Sequence, residues 1–258
     1  MVTDRLRTPL FVIAAILMVI AVLVELGSSV LIPAPVSDPS LLQGQASDQL
    51  KGYSDDDRKK MTSQLISDSK TAPKPPGMAI HDMAVLDGLV CFMLAVILLG
   101  DLSQSIWGRT QGIVTLIVSI LVLLACIGFI IARFVKVLIM IALLTATPFG
   151  TLAYLAMWGF FNRGGASVAL SVLMALKIAF VIFLVLSQQR FLQNKGLVLI
   201  IVTSLVSNIV ISFLQGLVPV FLVSITDGIA AIIVLILAAI WAILMLIFSI
   251  PSIFKAVF

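Results

Sequence analysis

Lys177 is the charged residue placed most deeply within an apolar segment of this chain. It lies near the middle of the run Ala166–Leu186, where a charge is costly unless it is paired or reaches water. A lysine in such a place serves as a counter-ion, a coupling-ion site or a substrate contact. The alternatives are a side chain that extends to a polar surface, or a structural pair with Glu25, Asp87 or Asp227.

Three acidic residues within apolar runs are the candidate partners of this lysine. Glu25 lies near the far end of the first run, where its carboxylate can reach a polar surface or another helix. Asp87 and Asp227 each precede a glycine near the start of a run. An aspartate at that position either caps a helix or lines a polar pocket.

A stripe of polar side chains follows one face of a later apolar run at helical spacing. Its members are Ser204, Asn208, Ser212 and Gln215. Such a face avoids lipid, and it either forms hydrogen bonds between helices or lines a hydrated path.

Residues for catalysis or metal binding are scarce. The only histidine, His81, has Asp82 beside it, which leaves it short of the three or four ligands that a metal requires. Cys91 and Cys126 both lie inside apolar runs and predict no disulfide framework. Phosphate-binding loops, nucleophile elbows and haem-attachment motifs are missing. We therefore expect no catalytic residue, no metal and no cofactor, and we do not expect an enzyme.

Composition predicts the elements that carry these residues. Of the 258 residues, 61% are hydrophobic and only 11% are charged, with a mean hydropathy of +1.24. Runs of about 18 or more apolar residues recur, as in membrane-spanning helices. The basic residues behind the net charge of +4 stand singly at run ends, which suits headgroup anchoring and not nucleic-acid binding. The sequence predicts an all-α polytopic protein of the cell membrane, with the lipid bilayer as its surroundings.

Seven transmembrane helices are predicted. Their ranges are Leu10–Ile32, Met83–Leu102, Gly112–Ala132, Val137–Trp158, Ala166–Leu186, Gly196–Leu214 and Val220–Phe248. An elbow at Arg133–Lys136 separates the third span from the fourth. The elbow before the last span falls either at Gln215–Pro219 or at Thr226–Gly228.

One polar elbow and the span after it occur twice. Leu102–Val122 aligns without gaps with Leu186–Val206, with nine identical residues among 21. The alignment divides the chain into an N-terminal span (1–32), a polar loop (33–80) and two three-helix units (81–164 and 165–258). Because three is an odd number of crossings, the second unit would be upside down relative to the first, in an inverted-topology repeat.

The polar loop begins and ends with prolines, which cannot continue a helix. Ser54 can cap a short amphipathic helix that continues to about Ser67. The three aspartates that follow Ser54 lie in the first turn, where the helix dipole favours negative charge. The loop is either a solvated tether or a docking element for other membrane or extramembrane proteins.

The first span also predicts the orientation. Arg5 and Arg7 precede it, and no basic residue follows until Lys51. An uncleaved span is favoured over a signal peptide because the run is long and no clear cleavage site follows. The charge asymmetry places the N-terminus in the cytoplasm and the loop outside, although the later elbows distribute their basic residues the other way.

Two functions remain open. The scarcity of buried polar groups favours a membrane-anchoring or scaffold subunit of a larger assembly, which contacts its partners through 33–80. The repeat favours a small transporter or channel, with Lys177, Asp227 and the Ser204–Gln215 stripe along its path.

Overall fold

The computed structural model describes residues 4–31, 52–61, 63, 77–102, 106–146, 164–187, 195–217 and 223–257. These residues form helices and turns, with no strand among them. The helices are α1 (Asp4–Leu26), α2 (Ser28–Leu31), α3 (Met78–Leu102), α4 (Ile106–Ala146), α5 (Gly164–Leu186), α6 (Lys195–Leu217) and α7 (Val223–Val257). All of them except α2 contain a segment long and apolar enough to cross a bilayer. The predicted class, an all-α polytopic membrane protein, is confirmed.

Helix α3 is the central element of the bundle. Its apolar segment Met78–Leu99 is 72% buried, whereas that of α4, Gly112–Val135, is only 17% buried. α3 packs against α1, α4, α6 and α7, and α5 reaches the bundle through α1 and α6. The exposed side chains of the outer helices are mainly Leu, Ile and Val, as expected for surfaces that face lipid.

Helices α3 and α4 form an antiparallel pair. Near the start of α3, Asp82 binds Arg133 from the later part of α4. At the other end, a side chain added at Gly112 would lie 2.9 Å from Leu99, so the two helices are close there as well. The short connection between them, from 102 to 106, leads directly into this arrangement.

The predicted elbow at Arg133–Lys136 is wrong. α4 is continuous from Ile106 to Ala146, and at 1.5 Å per residue it is about 60 Å long, roughly twice the thickness of a bilayer core. The four elbow residues include no glycine or proline, so nothing in the backbone ends the helix there. The predicted fourth span, Val137–Trp158, is described only as far as Ala146, where it prolongs α4; its remainder lies outside the described residues.

The last connection agrees with one of the two alternatives. α6 ends at Leu217 and α7 begins at Val223, so the chain turns beside Gln215–Pro219. Thr226–Gly228 lies within the first turns of α7.

The predicted first span, Leu10–Ile32, is not one continuous helix. Gly27 forms a turn between α1 and α2, and Ser28 donates a hydrogen bond to the carbonyl oxygen of Gly77 at 3.5 Å, just before α3. The C-terminal end of α1 therefore lies beside the N-terminal end of α3, which makes these helices antiparallel.

The predicted helix start in the polar loop is confirmed. Residues 55–61 are helical, and the backbone N–H of Asp57 donates to the Ser54 hydroxyl at 3.3 Å. The predicted continuation to Ser67 is described only at residue 63, which is helical.

The duplicated elbows coincide with helix ends. α3 ends at Leu102 and α5 ends at Leu186, the first residues of the two aligned segments. The third crossing of the first unit depended on the Arg133–Lys136 elbow and on residues outside the described ranges. The inverted relation between the two units stays a prediction.

Candidate functional site

Lys177 lies at the centre of a buried ionic cluster. Its Nζ atom is 2.9 Å from Oε1 of Glu25 and 2.8 Å from Oδ2 of Asp87. The exposed fraction is 1% for the lysine and 0% for each acid. Of the two possibilities for this lysine, extension to a polar surface and an internal pair, the structure shows the pair, and it involves two acids at once.

Asp87 is held from two sides. The Ser204 hydroxyl on α6 donates to Oδ1 of Asp87, while Lys177 on α5 binds the other oxygen. All three residues lie close to the middle of their apolar segments, so they lie at a similar depth in the membrane. Of the two roles predicted for this aspartate, capping and lining a polar pocket, the second fits, because Asp87 lies well inside α3 and not at its start.

Glu25 reaches the same point from the end of α1. Side chains in a helix lean toward its N-terminus, so those of antiparallel α1 and α3 lean toward one another. Glu25 thereby reaches the level of Asp87 on α3, although it lies only two residues before the Gly27 turn. At that level it contacts Lys177. We name Glu25, Asp87, Lys177 and Ser204 the Lys177 cluster; its members come from four helices.

The polar stripe of α6 continues beyond the cluster. Asn208 follows Ser204 by one turn on the same face and is fully buried. Neither atom of its amide has a hydrogen-bond partner among the described residues. Ser212 is half-buried and donates to the carbonyl oxygen of Asn208 within its own helix. The stripe thus turns away from lipid at Ser204 and Asn208, as its pattern predicts.

Two candidate residues cannot be placed at the level of side chains. Gln215 and Asp227 lie within α6 and α7, but their side chains are outside the described part of the structure.

The charges of the cluster do not balance. If all groups are ionised, two carboxylates face one ammonium, and the remaining contact is a neutral hydroxyl. Two carboxyl groups at one buried site cannot both be ionised without a large cost in free energy. The set becomes neutral when it takes up one further positive charge.

A second ionic cluster was missed by the sequence reasoning. Asp82 on α3 is fully buried, and Nε of Arg133 lies 2.8 Å from its Oδ1. Nη2 of Arg133 also donates to the carbonyl oxygen of Met78 at 3.4 Å. His81 Nδ1 lies 3.6 Å from the same carboxylate, and its ring packs on Phe129.

A signal for this second pair exists in the sequence. Asp82 is an acid near the start of one apolar run, and Arg133 is a base toward the end of the next. Because consecutive spans are antiparallel, those two positions lie at the same end of the bundle. The pattern predicts a pair, whereas we assigned Arg133 to an elbow.

The donor sets suit ion pairing more than metal binding. Among the described residues, no group of three or more His, Cys, Asp or Glu side chains is arranged to hold a metal. In the Lys177 cluster, the ammonium takes the place between the carboxylates that a metal ion would need.

No protein family, no curated protein and no solved structure matches this chain. The fold and the cluster therefore define its class on their own: a multi-pass α-helical membrane protein with a buried ionic centre between its helices.

Proposed function

We propose that this protein transports a small ion or solute across the membrane and that the Lys177 cluster is its ion-coupling site. The single observation that carries the proposal is the set of three ionisable side chains, at most 1% exposed, with one carboxylate more than it has cations. Ionisable groups near the centre of a bilayer typically mark ion pathways and relays.

The cluster exceeds what helix packing requires. A buried ion pair adds little stability, because desolvation offsets most of the attraction, and a second unmatched carboxylate is a further cost. The break at Gly27, beside Glu25, adds a second argument. Discontinuous helices at the level of a binding site are frequent in secondary transporters.

A second candidate is a membrane-anchoring or scaffold subunit that contacts partner proteins through 33–80. The capped helix at 55–61 favours it, because it presents exposed Asp and Lys side chains outside the apolar segments. The scarcity of buried polar groups no longer supports this candidate, since the cluster supplies several of them. Under either function we assign no catalytic residue and no cofactor, and we propose the cell membrane with a cytoplasmic N-terminus.

Purified protein in liposomes tests the proposal. The probes are pyranine for protons and a potential-sensitive dye for net movement of H⁺, Na⁺, K⁺ or Cl⁻ down imposed gradients. The matched variants are the neutral triple substitution Glu25→Gln, Asp87→Asn, Lys177→Met and the control Lys195→Met, an exposed lysine at the start of α6.

We expect flux above protein-free liposomes from the wild type and from Lys195→Met, and none from the triple variant. Equal flux from the triple variant would remove the cluster from the mechanism. A silent wild type that retains a stoichiometric partner, and loses it when residues 40–70 are deleted, would favour the scaffold function.

A further inference from the structure

We propose that the coupling ion is a proton and that Glu25 is the side chain that carries it; this inference rests on the proposed transport function. The step is the reversible formation of one O–H bond on the Glu25 carboxylate. The proton comes from water on one side of the membrane and returns to water on the other. Uptake changes the formal charge of the cluster from one negative to zero.

The contacts distinguish Glu25 from Asp87. Oδ1 of Asp87 accepts a hydrogen bond from the Ser204 hydroxyl, and its Oδ2 has an ion-pair contact with Lys177. Hydrogen bonds to a carboxylate stabilise its ionised form. Glu25 has Lys177 at Oε1 only, and its Oε2 is buried without a hydrogen bond from the described residues. The proton therefore belongs on Oε2 of Glu25.

The position of Lys177 favours a proton over a metal cation. Its Nζ lies within 2.9 Å of an oxygen from each carboxylate, so a metal bound between them would meet an ammonium at close range. A metal ion such as Ca²⁺ also needs about six oxygen ligands, whereas a proton needs one. A proton neutralises the excess charge and leaves both ion-pair contacts of Lys177 in place.

Among the described residues, few other titratable groups lie near Glu25. α1 packs against α2, α3 and α5. The charged groups that face Glu25 are Lys177 from α5 and Asp87 from α3. Cys91, one turn beyond Asp87 on α3, is a further titratable side chain near it. α2, with the sequence Ser-Ser-Val-Leu, contains no ionisable side chain.

The Gly27 turn gives Glu25 a means of exchange. The backbone N–H of Gly27 donates to the Leu23 carbonyl at 2.8 Å, and that of Val30 donates to the Gly27 carbonyl at 2.9 Å, so one helix ends and the next begins at this residue. A small rotation at this junction would move Glu25 without disturbing the contact between Asp87 and Ser204. Lys177 can then remain with Asp87 while Glu25 exchanges its proton.

Infrared difference spectroscopy of the reconstituted protein tests the assignment. The carboxylic C=O stretch is followed while the pH rises from ~5 to ~9, a range that lies above the ordinary pKa values of exposed Asp and Glu side chains and below that of lysine. The variants are Glu25→Gln, which resembles the protonated side chain, and Glu25→Asp, which keeps a carboxyl group. The control is Asp55→Asn, whose side chain is 91% exposed.

We expect a carboxylic band in the wild type and in Asp55→Asn that is absent from Glu25→Gln and displaced in Glu25→Asp. Pyranine-detected proton flux should fall to the level of protein-free liposomes in Glu25→Gln. Retention of the band in Glu25→Gln, or its absence from the wild type at every pH, would overturn the assignment. Ion flux that persists without such a band would reject the proton and leave transport standing, whereas a band that depends on Glu25 without any flux would reject transport.

Discussion

At the scale of single residues, this protein depends on ionic contacts that water does not reach. Lys177 and Glu25 are nearly or fully buried in the middle of the bundle, and Asp82 is equally buried at one end. Each would be costly in an apolar environment without its partner. The contacts are therefore necessary for the fold. They also differ between Glu25 and Asp87, and this difference is the basis of the proposal that Glu25 carries the proton.

The first prediction concerns the loss of the ammonium. Lys177→Met leaves at least one buried carboxylate without a cation, so we expect the free energy of unfolding to fall by about 3–5 kcal/mol. Lys195→Met should change it by less than about 0.5 kcal/mol, because that side chain is exposed. Thermal and denaturant unfolding in detergent measure both.

The neutral triple variant completes this comparison. With Glu25→Gln and Asp87→Asn added to Lys177→Met, no charge is left unpaired, and most of the lost stability should return. If Lys177→Met were as stable as the wild type, the lysine would have to reach water, contrary to its burial.

The sequence allowed part of this site to be predicted. Lys177 could be identified because a lysine amid apolar residues needs a partner, and Glu25 and Asp87 were among the three partners considered. The contact between Asp87 and Ser204 could not be predicted. When most faces of a helix are apolar, hydrophobic pattern does not determine which face meets which neighbour.

At the scale of elements, the central helix α3 packs very closely against α4. A Cβ atom at Gly88 would lie 2.8 Å from Sγ of Cys126 on α4, whose thiol is within 3.8 Å of the Val85 carbonyl. Gly88 directly follows Asp87, so the packing of α3 on α4 also determines the position of the cluster.

The second prediction tests that packing. Gly88→Ala should destabilise the fold by about 1–3 kcal/mol through overpacking. The change should be largely reversed when Cys126→Ala is added, because this removes the opposing sulfur without placing a glycine inside α4. Gly128→Ala on α4 is the control, because nothing lies within 4 Å of its added methyl group. Thermal unfolding of the two single variants at Gly88 and Cys126, of their combination and of Gly128→Ala measures these effects. Equal losses of stability at Gly88 and Gly128 would contradict the close contact.

The continuity of α4 shows where element prediction fails. The 47-residue apolar run contains two basic residues near its middle, Arg133 and Lys136. They suggest two crossings, because charges ordinarily mark the ends of spans. Arg133 instead pairs with Asp82 on the neighbouring helix α3, and none of the four residues Arg133–Lys136 is a glycine or proline. The ends of α3 at Leu102 and α5 at Leu186 agree with the predicted span ends, where a polar elbow follows. The break at Gly27 lies within the predicted first span and was not predicted, and charge alone predicted a wrong helix end at Arg133–Lys136.

At the scale of the whole molecule, the antiparallel order of α1, α3 and α4 relates the two sides of the membrane. α3 begins at the end of the bundle that holds the Asp82–Arg133 pair, and α4 begins at the opposite end. The two basic residues before α1 favour a cytoplasmic N-terminus, which would place the loop outside. Under the proposed transport function, this orientation relates the Glu25 site to the two sides of the membrane.

The third prediction is therefore one of topology. In a background with Cys91→Ala and Cys126→Ala, Tyr53→Cys should react with a membrane-impermeant maleimide in intact cells, because its side chain is 45% exposed in the loop. Arg109→Cys, exposed near the start of α4, should react only after the membrane is opened. The reversed pattern would place the N-terminus outside. Labelling of both sites in intact cells would contradict the crossing of α3, since these positions flank that helix, and would leave the buried Asp87 without the membrane that explains its burial.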